Sequence, residues 1–395
     1  MRVVLLNNDF RVYWKGRLGY FHQFLTSKGI DLHAIELFGK GSPYQFDTYN
    51  NKESWWTCLF PENSSDELSK KNIERTLFGA LDNADPDVII APSIVFFAGA
   101  LGLRWAKKNK KKFIMFDDAK PSHLKRNMIV QWVKDMITSA VDGLWLPSKD
   151  YDAEYSSLYK HDIYFFHGYN CVDNDLFKNL GVNSLDHKRV ICVARIVPIK
   201  NLRNLLRAWK QVEQSDQQYE LNIVGDGPQL GSLQQLAQKL KLKRVVFTGA
   251  VDNHNLPGYF HRSDAFILPS LSESWGLVVN EAMAAGLPVL LSSRINAGKY
   301  LLHEDINGFG FDPTATREIS AAILKYIRLK ADKKREMADN SLSIINTMSY
   351  QHMGNELVKA LHNIAVKRYK KPGFLSSILV NLWRGRYNTA FWDKL

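Results

Sequence analysis

Two glutamates, Glu273 and Glu281, bracket the segment Glu273-Ser-Trp-Gly-Leu-Val-Val-Asn-Glu281. Carboxylates accept hydrogen bonds from ribose and sugar hydroxyls. The segment follows an apolar run, Phe266-Ile-Leu-Pro-Ser270, that reads as a strand, and it leads into a helical stretch over Gly276–Ala285. Glu273 then lies in the loop at the carboxyl end of the strand, and Glu281 about two turns on. The backbone amides around Ser274, Trp275, Gly276, Leu277 and Val278 sit at the helix start. Such amides lack intrahelical acceptors, lie at the positive end of the helix dipole and bind phosphate readily. One loop-helix unit therefore offers phosphate donors and two hydroxyl acceptors. On residue types alone, the alternative is a pair of solvated charges.

Other residues could join them. Arg195 stands at the end of an apolar run and Lys200 at the start of a helical one. Two cations can clamp a diphosphate and neutralise charge on a leaving group. Alone, they read equally as surface charges. Gly225 and Gly227, in Ile223-Val-Gly-Asp-Gly-Pro228, permit a tight turn and close backbone approach. In the first half, Asp117 and Asp118 follow the run Phe113–Phe116, where they could contact a ligand or cap the next helix.

The elements that must position these residues follow from the hydrophobic pattern. Short β-branched runs at Val3–Leu6, Leu32–Leu37, Val88–Ala91, Phe113–Phe116, Leu144–Leu146 and Ile163–Phe166 alternate with amphipathic stretches at Leu18–Lys28, Glu67–Leu81, Phe96–Lys108 and Asn127–Ala140. Alternation of this kind predicts βαβ units and a parallel sheet covered by helices. The pattern restarts after His167–Asp175 with strands at Val190–Ala194, Glu220–Val224, Val245–Thr248, Ala265–Leu268 and Pro288–Leu291. Helices are predicted between them at Leu202–Glu213, Gln229–Leu240, Leu256–His261 and Gly276–Ala285. The reading is an α/β protein with two Rossmann-like domains facing across a cleft, at 1–170 and 171–370. The remaining 371–395 form a tail that packs back on the first domain. Its run Phe374-Leu-Ser-Ser-Ile-Leu-Val-Asn-Leu-Trp383, flanked by Lys370, Lys371, Arg384 and Arg386, has an amphipathic membrane-surface segment as its alternative reading.

At 395 residues the chain exceeds a single core, and 45% hydrophobic residues exclude long disorder. A net charge of +12 favours anionic partners. The basic run Lys107–Lys112, with Lys120, Lys125 and Arg126 nearby, reads either as a solvated helix end or as a face for anionic lipid or a phosphorylated acceptor. No RNA-binding or helix-turn-helix signature accompanies the charge, so nucleic acid is not expected. Three widely spaced cysteines, Cys58, Cys171 and Cys192, imply neither a disulfide framework nor a zinc site and fit a reducing, cytoplasmic setting. Peripheral contact with the inner face of a membrane fits as well.

The run from Pro269 to Val289 closely resembles the signature of the family 4 glycosyltransferases, retaining enzymes of the GT-B fold; Trp275 replaces the usual Phe. Val193-Ala-Arg195 with Lys200 resembles the family's Gly-Arg…Lys element, with Ala194 for Gly. Ile223–Pro228 is similar to its strand-turn element beside the donor, and Phe247-Thr-Gly-Ala-Val251 to the stretch bordering the base, which brings in Gly249 and Val251. Tyr169-Asn-Cys-Val-Asp173 resembles the interdomain Asn-Gly-Val-Asp, with Cys171 where Gly is usual. Asp173-Asn-Asp175 also has the form of the Asp-x-Asp metal motif of GT-A enzymes, but its place in the interdomain loop makes it structural.

The resemblance implies a retaining hexosyltransferase that uses a UDP- or GDP-linked sugar, needs no metal or other cofactor, and glycosylates a sugar or lipid-linked acceptor in cell-surface polysaccharide or glycolipid synthesis. It implies an acceptor site in the first domain. There Gly16 and Arg17 stand, in a loop, near the place of the family's Gly-Gly pair, as candidates for donor-phosphate contact. Asp117 or Asp118 stands where many relatives carry His, with His123 a few residues late. A nucleotide-sugar epimerase, a phosphorylase or a non-catalytic basic binding protein are the alternative functions.

Overall fold

The computed structural model describes residues 1–10, 13–41, 53–123, 127–178 and 187–385. The side chain of His123 and the residues Lys125, Arg126 and Arg386 lie outside the described set. The described residues divide into two compact units, one within 1–170 and 350–385, the other within 171–349.

The first unit is built on seven parallel strands, β1 (Arg2–Asn7), β2 (Asp31–Phe38), β3 (Trp56–Phe60), β4 (Val88–Pro92), β5 (Lys112–Phe116), β6 (Gly143–Leu146) and β7 (Tyr164–His167), in the order β3-β2-β1-β4-β5-β6-β7. β1, β4, β5 and β6 run down the middle and are almost wholly buried. This is why they read as unbroken apolar runs rather than as alternation. Helices α1 (Tyr13–Ser27), α2 (Lys70–Ala84), α3 (Phe97–Lys108) and α4 (Met128–Thr138) belong to this unit.

The second unit repeats the plan with β8 (Arg189–Val193), β9 (Glu220–Val224), β10 (Val245–Gly249), β11 (Ala265–Leu268), β12 (Val289–Ser292) and β13 (Gly308–Phe311), in the order β10-β9-β8-β11-β12-β13. The all-parallel register passes from β8 to β9 and β11 without a bulge. The helices are α5 (Asn174–Phe177), α6 (Leu202–Ser215), α7 (Leu230–Lys239), α8 (Leu256–Phe260), α9 (Leu277–Ala284), α10 (Asn296–Leu301), α11 (Thr316–Ile327) and α12 (Ala331–Asn346). A core of Leu205, Trp209, Leu221, Ile267 and Ile323, among others, fills the space between sheet, α6 and α11.

Two further helices, α13 (Tyr350–Val366) and α14 (Phe374–Leu382), return to the first unit. The return comes at Tyr350, earlier than the boundary at 370 read from the sequence. Aromatic packing explains it. Tyr350 lies 5.5 Å from Tyr20 on α1, and Gly354 sits so close to Phe24 that a Cβ would meet its ring at 2.8 Å. The tail helix α14 lies against α3 and α4. Trp383 Nε1 donates to the Ile94 carbonyl at 2.6 Å, and buried Arg104 donates to the Trp383 carbonyl at 3.0 Å. Among the described residues, no helix is long and apolar enough to cross a membrane.

Candidate active site

In the second unit the glycines set the frame. Gly225 leaves β9 at φ 138°, and a Cβ there would lie 1.9 Å from the Ala194 carbonyl oxygen. Gly227, at φ 157°, presses the same way on the Ile196 carbonyl. Absence of side chains lets the two strand exits zip together, Ala194 N–H to the Val224 carbonyl at 3.0 Å and Ile196 N–H to the Asp226 carbonyl at 2.8 Å. Gly225 N–H in turn donates to the Gly249 carbonyl at 2.8 Å, tying in the exit of β10. Arg195 stands in this zipped turn, half-buried, and its guanidinium makes no hydrogen bond or ion pair among the described residues.

Lys200 ends a single 3₁₀ turn, Pro198–Lys200, and Asn201 follows it in the left-handed region at φ 58°. The Asn201 amide donates to two carbonyls, Pro269 at 3.1 Å and Pro313 at 2.7 Å. Leu271 N–H reaches back to the Ile199 carbonyl at 2.8 Å. These bonds pin the turn to the exit of β11 and aim Lys200 at Glu273. The Lys200 ammonium donates to Glu273 Oε1 at 2.5 Å, and the Ser270 hydroxyl donates to the same oxygen at 2.7 Å. Both charged side chains are largely shielded, at 14% and 10% exposure, so each needs the other. Cys192 lies in the field of the pair, and burial pushes its thiol up to about 12, which keeps it neutral.

The loop after Glu273 is held by Asn296, whose amide donates to the carbonyls of Glu273 and Ser274 at 3.1 and 3.0 Å. Gly276 turns the chain into α9 at φ 99°. Buried Trp275 donates from Nε1 to Asn280 Oδ1 at 2.9 Å and locks the loop onto the helix. The amides of Gly276, Leu277 and Val278 make no hydrogen bond among the described residues, as a helix start requires. Glu281 lies on α9 at only 2% exposure. Val251 helps line a shallow cavity of ≈ 430 Å³ with Asp252, Asn255 and Tyr259 at the exit of β10. Arg195, Lys200, Glu273, both turn glycines and the start of α9 are thus gathered at the carboxyl ends of neighbouring parallel strands, where open α/β sheets bind ligands.

In the first unit the loop read around Gly16 and Arg17 is instead the first turns of α1, which starts at Tyr13. The reason is the spacing of Trp14, Leu18, Phe21 and Leu25, all buried on one face of α1. Gly16 leaves room for Tyr350, whose hydroxyl would stand 3.0 Å from a Cβ. Arg17 is 1% exposed, its guanidinium 5.3 Å from the Trp14 ring and 5.4 Å from that of Tyr169. Asp117 accepts from Ala119 N–H at 2.9 Å, a turn bond. Burial, and then repulsion from Asp117, raise the Asp118 carboxyl to about 6, with Arg17 only partly offsetting them. Burial likewise holds the Tyr169 hydroxyl well above its ordinary value.

One other reading changes, and two further residues find their partners. Lys120 is buried, donating to Asp150 at 2.5 Å with Tyr151 beneath it, so it is no part of a cationic surface. His167 pairs with Asp152 at 2.7 Å. Asp173 caps α5, accepting from the amides of Asp175 and Leu176. No group of three or more His, Cys, Asp or Glu able to hold a metal converges among the described residues. Asn201 and Asn296 escaped the sequence reading because their partners are backbone carbonyls, which leave no mark in the residue types.

Two parallel sheets with these strand orders, covered by helices, define the GT-B class. The fold matches HepE of Anabaena in complex with UDP at a TM-score of 0.73 and 16% identity, over 92% of this chain and 100% of that one. Residues 175–342 match the family described as glycosyl transferases group 1. It is 33% identical over 117 residues to the alpha-monoglucosyldiacylglycerol synthase of Streptococcus pneumoniae, covering 29% of this chain and 26% of that one. It is 32% identical over 161 residues to the GDP-mannose-dependent alpha-(1-6)-phosphatidylinositol monomannoside mannosyltransferase of Mycolicibacterium smegmatis, covering 39% and 41%. The chain thus aligns with well under two thirds of either relative's length.

Proposed function

We propose that this protein is a retaining glycosyltransferase that moves a hexosyl group from a nucleoside-diphosphate sugar to an acceptor hydroxyl in cell-surface polysaccharide or glycolipid synthesis. The observation that carries the reading is the Lys200–Glu273 pair beside the unpaired Arg195 guanidinium, within the family-matched residues. Arg195 and Lys200 clamp the donor diphosphate, and the free amides of Gly276, Leu277 and Val278 take its remaining oxygens. Glu273 holds sugar hydroxyls, Glu281 the ribose, and the groove at Val251 the base. The bond from the anomeric carbon to the phosphate oxygen breaks through an oxocarbenium-like transition state. Charge building on the departing diphosphate is neutralised in place, with no metal or other cofactor. The acceptor oxygen bonds to the anomeric carbon on the same face, and its proton passes to the departing phosphate oxygen. In the first unit, Asp118, with Asp117 holding its turn, receives the acceptor. The names of the relatives and of the structural neighbour support UDP- or GDP-linked donors and a lipid acceptor, and a lipid acceptor would bring the protein into peripheral contact with an anionic membrane.

A thermal-shift panel of UDP, GDP, UDP-glucose and GDP-mannose tests the donor assignment, because a ligand that binds only the folded state raises the melting temperature by mass action. At a concentration of about 100 Kd the gain is about 2.7 kcal/mol. A panel in which no nucleotide shifts the transition overturns the reading.

A further inference from the structure

We propose that the adjacent helices α4 and α14 of the first unit form a docking face for an anionic lipid bilayer, apolar on the helices and cationic at the base of α14. The inference deepens the proposed function and rests on it for the choice of a lipid-linked acceptor. The apolar part is unlike an ordinary helix surface. On α14 the buried side carries Ser376 and Val380, while Phe374, Ile378 and Leu382 recur at every fourth position on the outside. Phe374 is 84% and Leu382 71% exposed. The first turns of α4, packed alongside, expose Met128, Ile129, Val130 and Trp132, with Met128 at 86%. Soluble proteins seldom leave apolar residues clustered this way without a partner surface.

Charge says what the partner is. Two basic runs, far apart in sequence, meet where the chain enters α14. The Tyr369 hydroxyl donates to the Lys107 carbonyl at 3.1 Å, and Lys112 Nζ donates to the Arg368 carbonyl at 3.2 Å. Lys107 and Lys112 are spent on Asp142, and Lys367 on Asp162. Lys108, Lys110, Lys160, Lys370 and Lys371 are exposed and enter no ion pair among the described residues. A helix with an exposed apolar face, aromatic residues and cations at its end suits the boundary between headgroups and acyl chains. A second copy of this chain would bring the same cations to the face and repel them.

The test is co-sedimentation of the full chain with vesicles of phosphatidylcholine alone and with about one third phosphatidylglycerol, the lipid that supplies negative surface potential. The expected result is at least about tenfold tighter binding to the anionic vesicles, weakened by added salt. Phe374→Glu with Leu382→Glu should abolish binding to both. Lys370→Glu with Lys371→Glu should remove the preference for the anionic ones. All four positions are exposed, so folding is preserved, and an unchanged melting temperature checks it. The proposal fails if the wild-type chain stays in the supernatant with both vesicles, or if the apolar double variant sediments like wild type. It also fails if the chain self-associates in sedimentation velocity and that variant abolishes the association. Vesicle binding needs no donor, so a chain that binds vesicles but no nucleotide sugar sinks the transferase reading and leaves this one standing.

Discussion

Lys200 and Glu273 come from exits of two different strands, β8 and β11, yet their charged ends meet at 2.5 Å. The bond is possible because β8 and β11 are hydrogen-bonded neighbours in the sheet and because Asn201 ties the Lys200 turn to the Pro269 carbonyl. The lysine is thereby held against a carboxylate, and the glutamate keeps one oxygen, Oε2, for another partner.

Glu273→Gln tests that arrangement. The amide keeps the shape and can still accept from Ser270, but the countercharge is lost. The expected outcome is a fall in kcat of about 10²- to 10³-fold, the scale seen when one preorganised electrostatic contact is removed. Steady-state kinetics with the donor found in the thermal-shift panel, alongside far-ultraviolet circular dichroism to verify folding, would check it. Near-normal kcat would remove Glu273 from the site.

Much of the fold is legible in the sequence, and where it is not the causes are physical. Strands β9 and β11 begin and end where the apolar runs do. β13 is not visible in the hydrophobic pattern, because its sequence, Gly-Phe-Gly-Phe, has no β-branched run. Gly308 is there because a Cβ would fall 1.8 Å from the Val289 carbonyl of the neighbouring strand, a need that only the paired strand reveals. β3 is an edge strand, partly exposed, with the mixed sequence Trp-Thr-Cys-Leu-Phe. α1 starts five residues before the predicted Leu18 because tertiary packing of Trp14 and Leu18 carries the helix back through Gly16. The motifs of the candidate site are legible because they crowd strand exits. The bonds from Asn201 to Pro269 and Pro313 are not, since they join carbonyls 68 and 112 positions away.

The Asp118 carboxyl, raised to about 6 by burial and by Asp117, makes stability depend on pH in a definite direction. Unfolded, it titrates near about 3.9. Between those values the folded chain holds a proton that the unfolded chain has lost, so stability falls as pH rises from about 4 to about 6 and is level above. Asp118→Asn should therefore stabilise the protein at pH 7 to 8, by up to about 2 kcal/mol, and have no such effect near pH 4. Melting temperatures of both proteins across that range measure it. If the carboxylate receives the acceptor, kcat/KM of the wild type should also show an acidic limb near about 6 that the variant lacks. Parallel stability curves would show that Asp118 is not held in this state.

Gly225→Ala should damage the second unit directly. The methyl would meet the Ala194 carbonyl oxygen at 1.9 Å in a backbone conformation, φ 138°, that L-residues avoid. A cost of about 2–4 kcal/mol follows from clash and strain together. Differential scanning calorimetry should show the transition lowered by roughly 5–15 °C. Gly231→Ala, where a Cβ meets nothing within 4 Å, should move it little and is the control.

Asn201 is a positioning residue, and two substitutions separate its jobs. Its backbone occupies φ 58°, and its side-chain amide bridges Pro269 and Pro313. Asn201→Gly keeps the left-handed backbone but loses both hydrogen bonds, and leaves the two buried carbonyls without this donor. Asn201→Ala loses the bonds and adds backbone strain. The alanine variant should melt below the glycine variant, by about 1 kcal/mol or more. Both should lower kcat, because the turn that aims Lys200 is no longer pinned, and a misplacement of about 1 Å can cost about 10²-fold. A purely structural asparagine would lower the melting temperature and leave kcat below that temperature unchanged. The discriminating measurement is therefore kcat of the glycine variant well below its melting transition, where a tenfold or greater loss is expected and a wild-type value would confine Asn201 to stability.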